Sequence, residues 1–323
     1  MLKVVLAGSV GSSFATLKKL TEHEINIAAV LGCEPKDAEK VSGYVNMQNF
    51  CTEHNIPYYP FAKINTQPIK NILQEIKPDI FFVVGLSQLI PTDMLAIAKL
   101  GNIGFHPTVL PTGRGRAPIA WLILEEKYGA ANFFLMGEGA DDGPVFVQKK
   151  FEVNNKDNAG SIEKKIILSI NEALDEWLPE LKNGVWNPVP QEEMNATYYG
   201  KRMPDDGLIN WEKSAAEIDK LIRASSNPHP GAFSFLSHKK IIIQSSKLEH
   251  ELKIKGVTGR VLIEKDNGYL VQTGNGLIWI SDIMDELNQK VVLKTGQKLG
   301  YYPELEIYKL TKEILEIKQK IGI

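Results

Sequence analysis

Two hydrophobic periodicities divide the chain. In the first half, apolar runs at residues 2–7, 25–31, 80–85, 101–105, 133–136 and 145–151 read as strands. Segments with helical spacing lie between them, at 14–23, 45–54, 67–76, 91–99 and 117–127. Strands that are apolar throughout, rather than alternating, are buried on both faces, so the pattern predicts an α/β domain with a mostly parallel sheet covered by helices on each side. A long amphipathic helix over 161–181 closes that domain, and the polar stretch 183–197 reads as a linker. A second domain follows, with a helix at 215–225 and five β-rich runs at 232–236, 240–244, 256–263, 268–272 and 276–280. Two of its turns, Asp266-Asn267-Gly268 and Gly274-Asn275-Gly276, have hairpin chemistry, and five short strands at this spacing suggest a small barrel. The segment 303–321 has helical periodicity and is read as an added helix of structural or oligomeric role, so that a homodimer is possible. The expected domains are residues 1–190 and 200–323.

Composition supports this division, because 323 residues exceed what one core usually holds and 43% hydrophobic content is ordinary for a globular protein. The chain opens directly on a strand-like run without a charged-then-apolar leader, and no stretch approaches the ~18 apolar residues of a membrane span. A cytoplasmic protein without a membrane partner is therefore expected. A net charge of −2 argues against a partner as anionic as nucleic acid. Cys33 and Cys51 lie outside any CxxC pattern, which suggests neither a disulfide framework nor a thiolate metal site, and no other metal-ligand cluster stands out.

The chemistry concentrates in two loops. Gly104-Phe105-His106-Pro107 ends an apolar run in a Pro/Gly-rich turn, continued by Gly113-Arg114-Gly115-Arg116-Ala117-Pro118. Ligands of open α/β sheets bind beyond the carboxyl ends of strands, and His106 follows such an end. Gly139-Ala140-Asp141-Asp142-Gly143 offers a carboxylate in a second glycine-flanked loop, the usual partner of a working imidazole. By themselves these residues leave the matter open, since a histidine before proline is commonly a hydrogen-bonded core group and a loop acid pair is commonly a cap. Gly8-Ser9-Val10-Gly11-Ser12-Ser13 lacks the full spacing of a dinucleotide fingerprint and reads as a phosphate-tolerant turn at a helix N-terminus.

In order and spacing, these motifs, with Pro204-Asp205-Asp206-Gly207-Leu208-Ile209-Asn210-Trp211 further on, resemble the signature of the folate-dependent formyltransferases. The resemblance implies a Rossmann-like catalytic domain, an OB-like second domain, and transfer of a formyl group from 10-formyltetrahydrofolate to a primary amine. Attack on the formyl carbon generates an oxyanion and a cationic nitrogen. His106 would donate to the first, and Asp141 would hold His106 and relay the proton through water. The register Gly-x-Asp-x-Gly selects Asp141 and leaves Asp142 structural. By the same resemblance the pterin lies against Leu86-Ser87-Gln88-Leu89-Ile90 and the loop from Gly139 to Asp141, while the first turn, with Gly8, Ser9 and Ser12, lies near the acceptor. Arg114 and Arg116 could grip a diphosphate or could brace their loop. Trp121 and Trp211 read as core residues.

One departure from the family pattern matters. The family's asparagine two residues before the histidine is replaced by Gly104. Asn102 lies about 7 Å further down an extended strand, at ~3.3 Å per residue, which is too remote. Asn132 opens a strand and could enter the space beside Gly104, so it is either the displaced amide or an ordinary strand-start asparagine.

The acceptor is read from charge and loop composition. Family members that formylate initiator methionyl-tRNA carry a basic insertion after the second strand, whereas Glu34-Pro35-Lys36-Asp37-Ala38-Glu39-Lys40 is mixed in sign here. Together with Val41-Ser42-Gly43-Tyr44, this resembles the branch that formylates nucleotide-linked 4-amino-4,6-dideoxyhexoses for surface glycans. The alternatives are a methionyl-tRNA formyltransferase, a formyltetrahydrofolate hydrolase and a non-catalytic binding protein.

Overall fold

The computed structural model describes residues 2–34, 36, 38, 41–86 and 88–322. It divides into two compact units, Met1–Arg202 and Met203–Ile323. The first runs β1 (Lys3–Ala7), α1 (Gly11–Glu22), β2 (Asn26–Cys33), α2 (Gln48–Glu53), β3 (Tyr58–Phe61), α3 (Gln67–Ile76), β4 (Ile80–Val83), α4 (Thr92–Leu95) and β5 (Gly101–Thr108). It continues through β6 (Arg114–Gly115), α5 (Pro118–Glu125), β7 (Tyr128–Leu135), β8 (Val145–Glu152), α6 (Ala159–Lys182) and β9 (Tyr198–Tyr199). Seven strands form one sheet in the order β3-β2-β1-β4-β5-β7-β8. The five from β3 to β5 are parallel, and β7 and β8 join antiparallel.

Burial on both faces explains the continuous apolar runs. On one face Val5, Ala7, Phe81 and Val83 pack with Ile69 and Leu73 of α3 and Met94 of α4. On the other, Phe82 and Phe133 each meet the Trp177 ring of α6 with centroids 6.1 Å apart, and Phe146 stacks on it at 4.8 Å. A reciprocal cap starts α6: Asn158 accepts from the Ser161 amide at 2.9 Å, and Ser161 Oγ accepts from the Asn158 amide at 3.0 Å. Strand order reverses between β1 and β4, where ligand crevices form in this architecture. The loops there abut so closely that a Cβ on Gly8 would stand 2.1 Å from the Val84 carbonyl oxygen.

Four expectations change. β3 is an additional strand at the sheet edge, where Pro60 needs no ladder donor. The predicted helix at 91–99 shrinks to the single turn of α4. β5 runs on to Thr108, so His106 lies within the strand rather than in a turn after it. The stretch 183–197 is no free linker: Val189 and Val145 exchange two backbone hydrogen bonds of 2.8 Å, and β9 pairs in parallel with β6.

In the second unit α7 (Ala215–Ser225) precedes β10 (Ala232–Leu236), β11 (Lys239–Glu249), β12 (Val261–Lys265), β13 (Gly268–Gln272) and β14 (Leu277–Asp285), and α8 (Pro303–Ile321) ends it. Its strands form an antiparallel sheet in the order β10-β11-β14-β13-β12. The strip 297–300 bonds to both edges, Leu299 N to the Gly259 carbonyl and Gly300 N to the Phe235 carbonyl, each at 2.8 Å. The sheet thereby curls toward the expected small barrel. Trp211 sits in its core with Nε1 donating to Ser234 Oγ at 2.8 Å. By contrast Trp121, in the first unit, is only half-buried and stacks on Tyr199 at 4.9 Å.

Candidate active site

The centre of the site is a buried imidazole between two acceptors. His106 Nε2 lies 2.9 Å from the Gly113 carbonyl oxygen, and Nδ1 lies 3.3 Å from Asp141 Oδ2. Both ring nitrogens thus face oxygen atoms, one on the main chain and one on a carboxylate. The Gly113 carbonyl also receives the Thr108 hydroxyl at 3.3 Å.

Asp141 is held rather than loose. Its Oδ2 accepts from the Gly115 amide at 2.9 Å, and its backbone adopts a left-handed φ of 54°. Such a conformation costs a non-glycine residue roughly 1–3 kcal/mol and persists where neighbours over-determine it. Here Gln191 Nε2 donates to the Asp141 and Gly143 carbonyls at 2.8 and 2.7 Å. Gly143 itself leaves no space, since a Cβ there would lie 1.6 Å from the Leu135 carbonyl oxygen.

Arg114 ties this arrangement to β9. Its side chain is fully buried and donates to Gln191 Oε1 at 3.0 and 3.2 Å, to both Glu193 carboxylate oxygens at 2.9 and 3.1 Å, and to the Tyr198 hydroxyl at 2.7 Å. Burial alone would discourage the guanidinium charge, but Glu193 and then Tyr198 hold its pKa above the ordinary arginine value. The expectation that Arg114 reaches a diphosphate is thus corrected, because its donors are engaged inside the protein. Arg116 differs: its side chain is exposed and has no partner among the described residues. In β9 itself, which with β6 forms a strap, Tyr199 donates to Glu126 Oε1 at 2.5 Å. Burial first, and that carboxylate second, raise the phenol well above its usual range.

Asn132 also requires correction. It faces His106 across β5 and β7, but its amide donates to the His106 and Thr108 carbonyls at 2.7 and 2.5 Å, and its oxygen accepts from Gln148 at 2.6 Å. With its donors committed to the bulged backbone of β5, it has none for a formyl oxygen. Nor does it fill the space beside Gly104; the Phe134 ring does, at 2.6–3.0 Å from where a Cβ would be.

The remaining predicted residues divide. Ser9 is buried and accepts from the Cys33 amide at 2.5 Å, and Gly8 serves close packing, so both belong to the turn's own structure. Ser12 is partly exposed at the start of α1, its hydroxyl 2.7 Å from where a Cβ on Gly85 would lie. Ser87 lies outside the described residues. Gln88 clamps the neighbouring chain, accepting from Ile64 N at 2.9 Å and donating to the Ala62 carbonyl at 3.1 Å. Ile90 packs on the core while Leu89 is 84% exposed. Gly139 is exposed, and a Cβ on it would lie 2.1 Å from Asp142 Oδ2. Asp142 Oδ1 is buried without a hydrogen-bond partner, as is Asn102 Oδ1. Gln148, Gln191, Glu193, Tyr198 and Tyr199 carry no local signature. Those that hold Arg114 lie 77 to 84 residues from it along the chain. Among the described residues, no group of three His, Cys, Asp or Glu could hold a metal ion.

This doubly wound sheet with an imidazole–carboxylate couple at a strand end matches a known family over most of its length. Residues 2–178 match the formyl transferase model and residues 201–295 that of the formyl transferase C-terminal domain. The chain belongs to the formyl transferase family, and it is an enzyme of that family.

Among curated relatives, it is 27% identical over 312 residues to a methionyl-tRNA formyltransferase of Ruminiclostridium cellulolyticum, covering 93% of this chain and all of that one. Among solved structures, it is similar to HypX from Aquifex aeolicus in complex with tetrahydrofolic acid (TM-score 0.63, 19% identity, 88% of this chain), of which it spans only 44%. It is also similar to WlaRD, a sugar 3N-formyl transferase solved in the presence of dTDP and 5-N-formyl-THF (TM-score 0.62, 19% identity, 90% of this chain and 99% of that one).

Proposed function

We propose that the protein transfers the formyl group of 10-formyltetrahydrofolate to the amine of a nucleotide-linked amino sugar, of the 4-amino-4,6-dideoxyhexose type, in the cytoplasm. The observation that carries the chemistry is the His106–Asp141 couple, 3.3 Å apart at the end of β5. The amine attacks the formyl carbon, the carbonyl oxygen becomes anionic, and the nitrogen must lose a proton while the folate nitrogen gains one. His106 Nε2 donates to the developing oxyanion by exchanging the Gly113 carbonyl for it, while the Thr108 hydroxyl, which donates to the Thr112 carbonyl at 2.7 Å, lies 3.3 Å from the carbonyl released. Asp141, fixed by the Gly115 amide, keeps the ring oriented and relays the amine proton through water to the folate nitrogen as its bond to the formyl carbon breaks. With Asn132 committed to backbone, His106 is the side-chain donor for the oxyanion. One such donor is worth roughly 10²–10³ in kcat.

For the folate, the loop with Gln88, Leu89 and Ile90 and the loop from Gly139 to Asp141 supply the surface, with Leu89 and Gly139 exposed. For the acceptor, the exposed Arg116 guanidinium fits a diphosphate as a bidentate partner. WlaRD, solved with dTDP, aligns nearly end to end, and a net charge of −2 gives little attraction to tRNA. The second reading, formylation of initiator methionyl-tRNA, is favoured by the full-length relative of that name.

Turnover of 10-formyltetrahydrofolate is to be measured against UDP-, dTDP- and GDP-linked amino sugars, with charged initiator tRNA alongside. Saturable activity with one of the sugars, lost in His106→Ala with folding intact, is expected. Saturation with tRNA alone would select the second reading, folate consumption without an amine would mark a hydrolase, and full activity in His106→Ala would end the mechanism.

A further inference from the structure

α8 carries an apolar stripe that its own unit does not cover. None of its residues is buried, and Ile307, Leu310, Ile314, Ile317 and Ile321 are each more than half exposed. Their spacing is three, four, three, four, a mean of 3.5. That is the seam of a left-handed coiled coil rather than the broader face with which a helix lies on a globular core. α6 shows the other pattern, with ten buried residues in a wide stripe that includes Ile162, Ile166, Ile170, Leu174 and Trp177. Helices in proteins owe most of their stability to packing of the apolar face, so the seam calls for a partner helix. The segment also lies beyond residues 201–295, where the match to the C-terminal domain ends.

The flanking charges identify the partner. With Ile307, Ile314 and Ile321 at the a positions and Leu310 and Ile317 at d, the e positions are Glu304, Thr311 and Lys318, and the g positions are Glu306, Glu313 and Lys320. Acids occupy the first turn and bases the last. An antiparallel pair, in which e meets e and g meets g, brings Glu304 to Lys318 and Glu306 to Lys320 twice over, once on each side of a two-fold axis. The cost is one Glu313–Glu313 approach. A parallel pair gains only Glu313 with Lys318. Glu306 meanwhile engages Lys309 of its own helix at 2.9 Å with its own side chain 14% exposed, so it meets a partner's lysine only by turning outward from that pair. Seam and charge order are both self-complementary under a two-fold axis, as an isologous interface requires.

We infer that α8 is a dimer interface, packing antiparallel against α8 of a second copy of this chain. The full chain should sediment at twice its monomer mass at micromolar concentration and dissociate on dilution. Ile314→Glu/Ile317→Glu should weaken association at least 100-fold while the far-ultraviolet circular dichroism and melting of the rest of the chain stay unchanged. Glu304→Lys/Glu306→Lys should weaken it about tenfold, and adding Lys318→Glu/Lys320→Glu to the same chain should restore it. A monomer at all concentrations, a species larger than a dimer, or a dimer indifferent to the Ile314 and Ile317 changes would overturn the proposal. Failure of the fourfold charge reversal to restore association would overturn the antiparallel order.

Discussion

The β1–α1 turn and the β6–β9 strap both carry chain across the ends of sheet strands, and they are secured by opposite means. The turn uses small groups on backbone: Ser13 Oγ donates to the Val84 carbonyl at 2.6 Å, Val10 N donates to Ser13 Oγ at 3.2 Å, and Ser9 Oγ receives the Cys33 amide. The strap uses long side chains: Arg114 gathers Gln191, Glu193 and Tyr198, and Gln191 in turn holds the Asp141 and Gly143 carbonyls. Contacts through a Cβ or a hydroxyl leave no slack. Those through long side chains can re-form after a small displacement. In the proposed mechanism His106 releases the Gly113 carbonyl, and Gly113 is in the chain that the strap secures, not the turn.

The turn should therefore break most severely. Gly8→Ala sets a methyl 2.1 Å from the Val84 carbonyl oxygen and 2.3 Å from Ser13 Oγ. Because one obstacle is backbone, destabilisation of about 3 kcal/mol is expected, the upper end for overpacking. Chemical denaturation of the variant against the parent measures it. A loss below about 1 kcal/mol would show that the turn has the compliance assigned here to the strap.

Arg114→Ala comes next. It strips Gln191 and Tyr198 of a buried cationic partner but leaves Glu193, itself 71% exposed, in water. The expected cost is about 2–3 kcal/mol, less than for a fully buried ion pair. Unlike Gly8→Ala, it should also lower kcat, since Gly115 and Asp141 lose their support. Gln191→Ala follows at about 1–2 kcal/mol, the cost of leaving two carbonyls without their donor. If it reduced kcat by less than threefold, the link between strap and Asp141 would be wrong.

These two regions also differ in how far they could be read in advance. The sheet was legible because strands buried on both faces are apolar throughout, and α3, α7, β10 and β13 begin and end where periodicity and turn residues place them. That His106 and Asp141 would meet was legible from the resemblance that their two glycine-rich motifs carry, although His106 lies inside β5 and not in the turn expected after it. The strap was not, since 183–197 is polar and Gln191, Glu193 and Tyr198 acquire meaning only through Arg114. Asn132 misled for a related reason. A missing side chain at Gly104 suggests a vacancy, but the space belongs to Phe134, paired opposite it across the sheet, and the register that decides this is a tertiary fact.

Arg116 sharpens the contrast with the smallest effect. It stands one residue beyond β6, with its backbone amide on the Tyr199 carbonyl at 3.1 Å and its side chain exposed. Removing the side chain takes away no internal bond, so Arg116→Ala should leave the melting temperature unchanged. If the guanidinium receives a diphosphate, KM for the nucleotide sugar should rise about tenfold, near 1.4 kcal/mol, with kcat held. The contact is solvent-exposed, so added salt should raise KM of the parent and affect the variant less. Arg116→Lys keeps the charge but not the paired donors and should recover only part of the loss. An unchanged KM in Arg116→Ala would remove the rim from substrate recognition, and the strap would then be a scaffold for Asp141 alone.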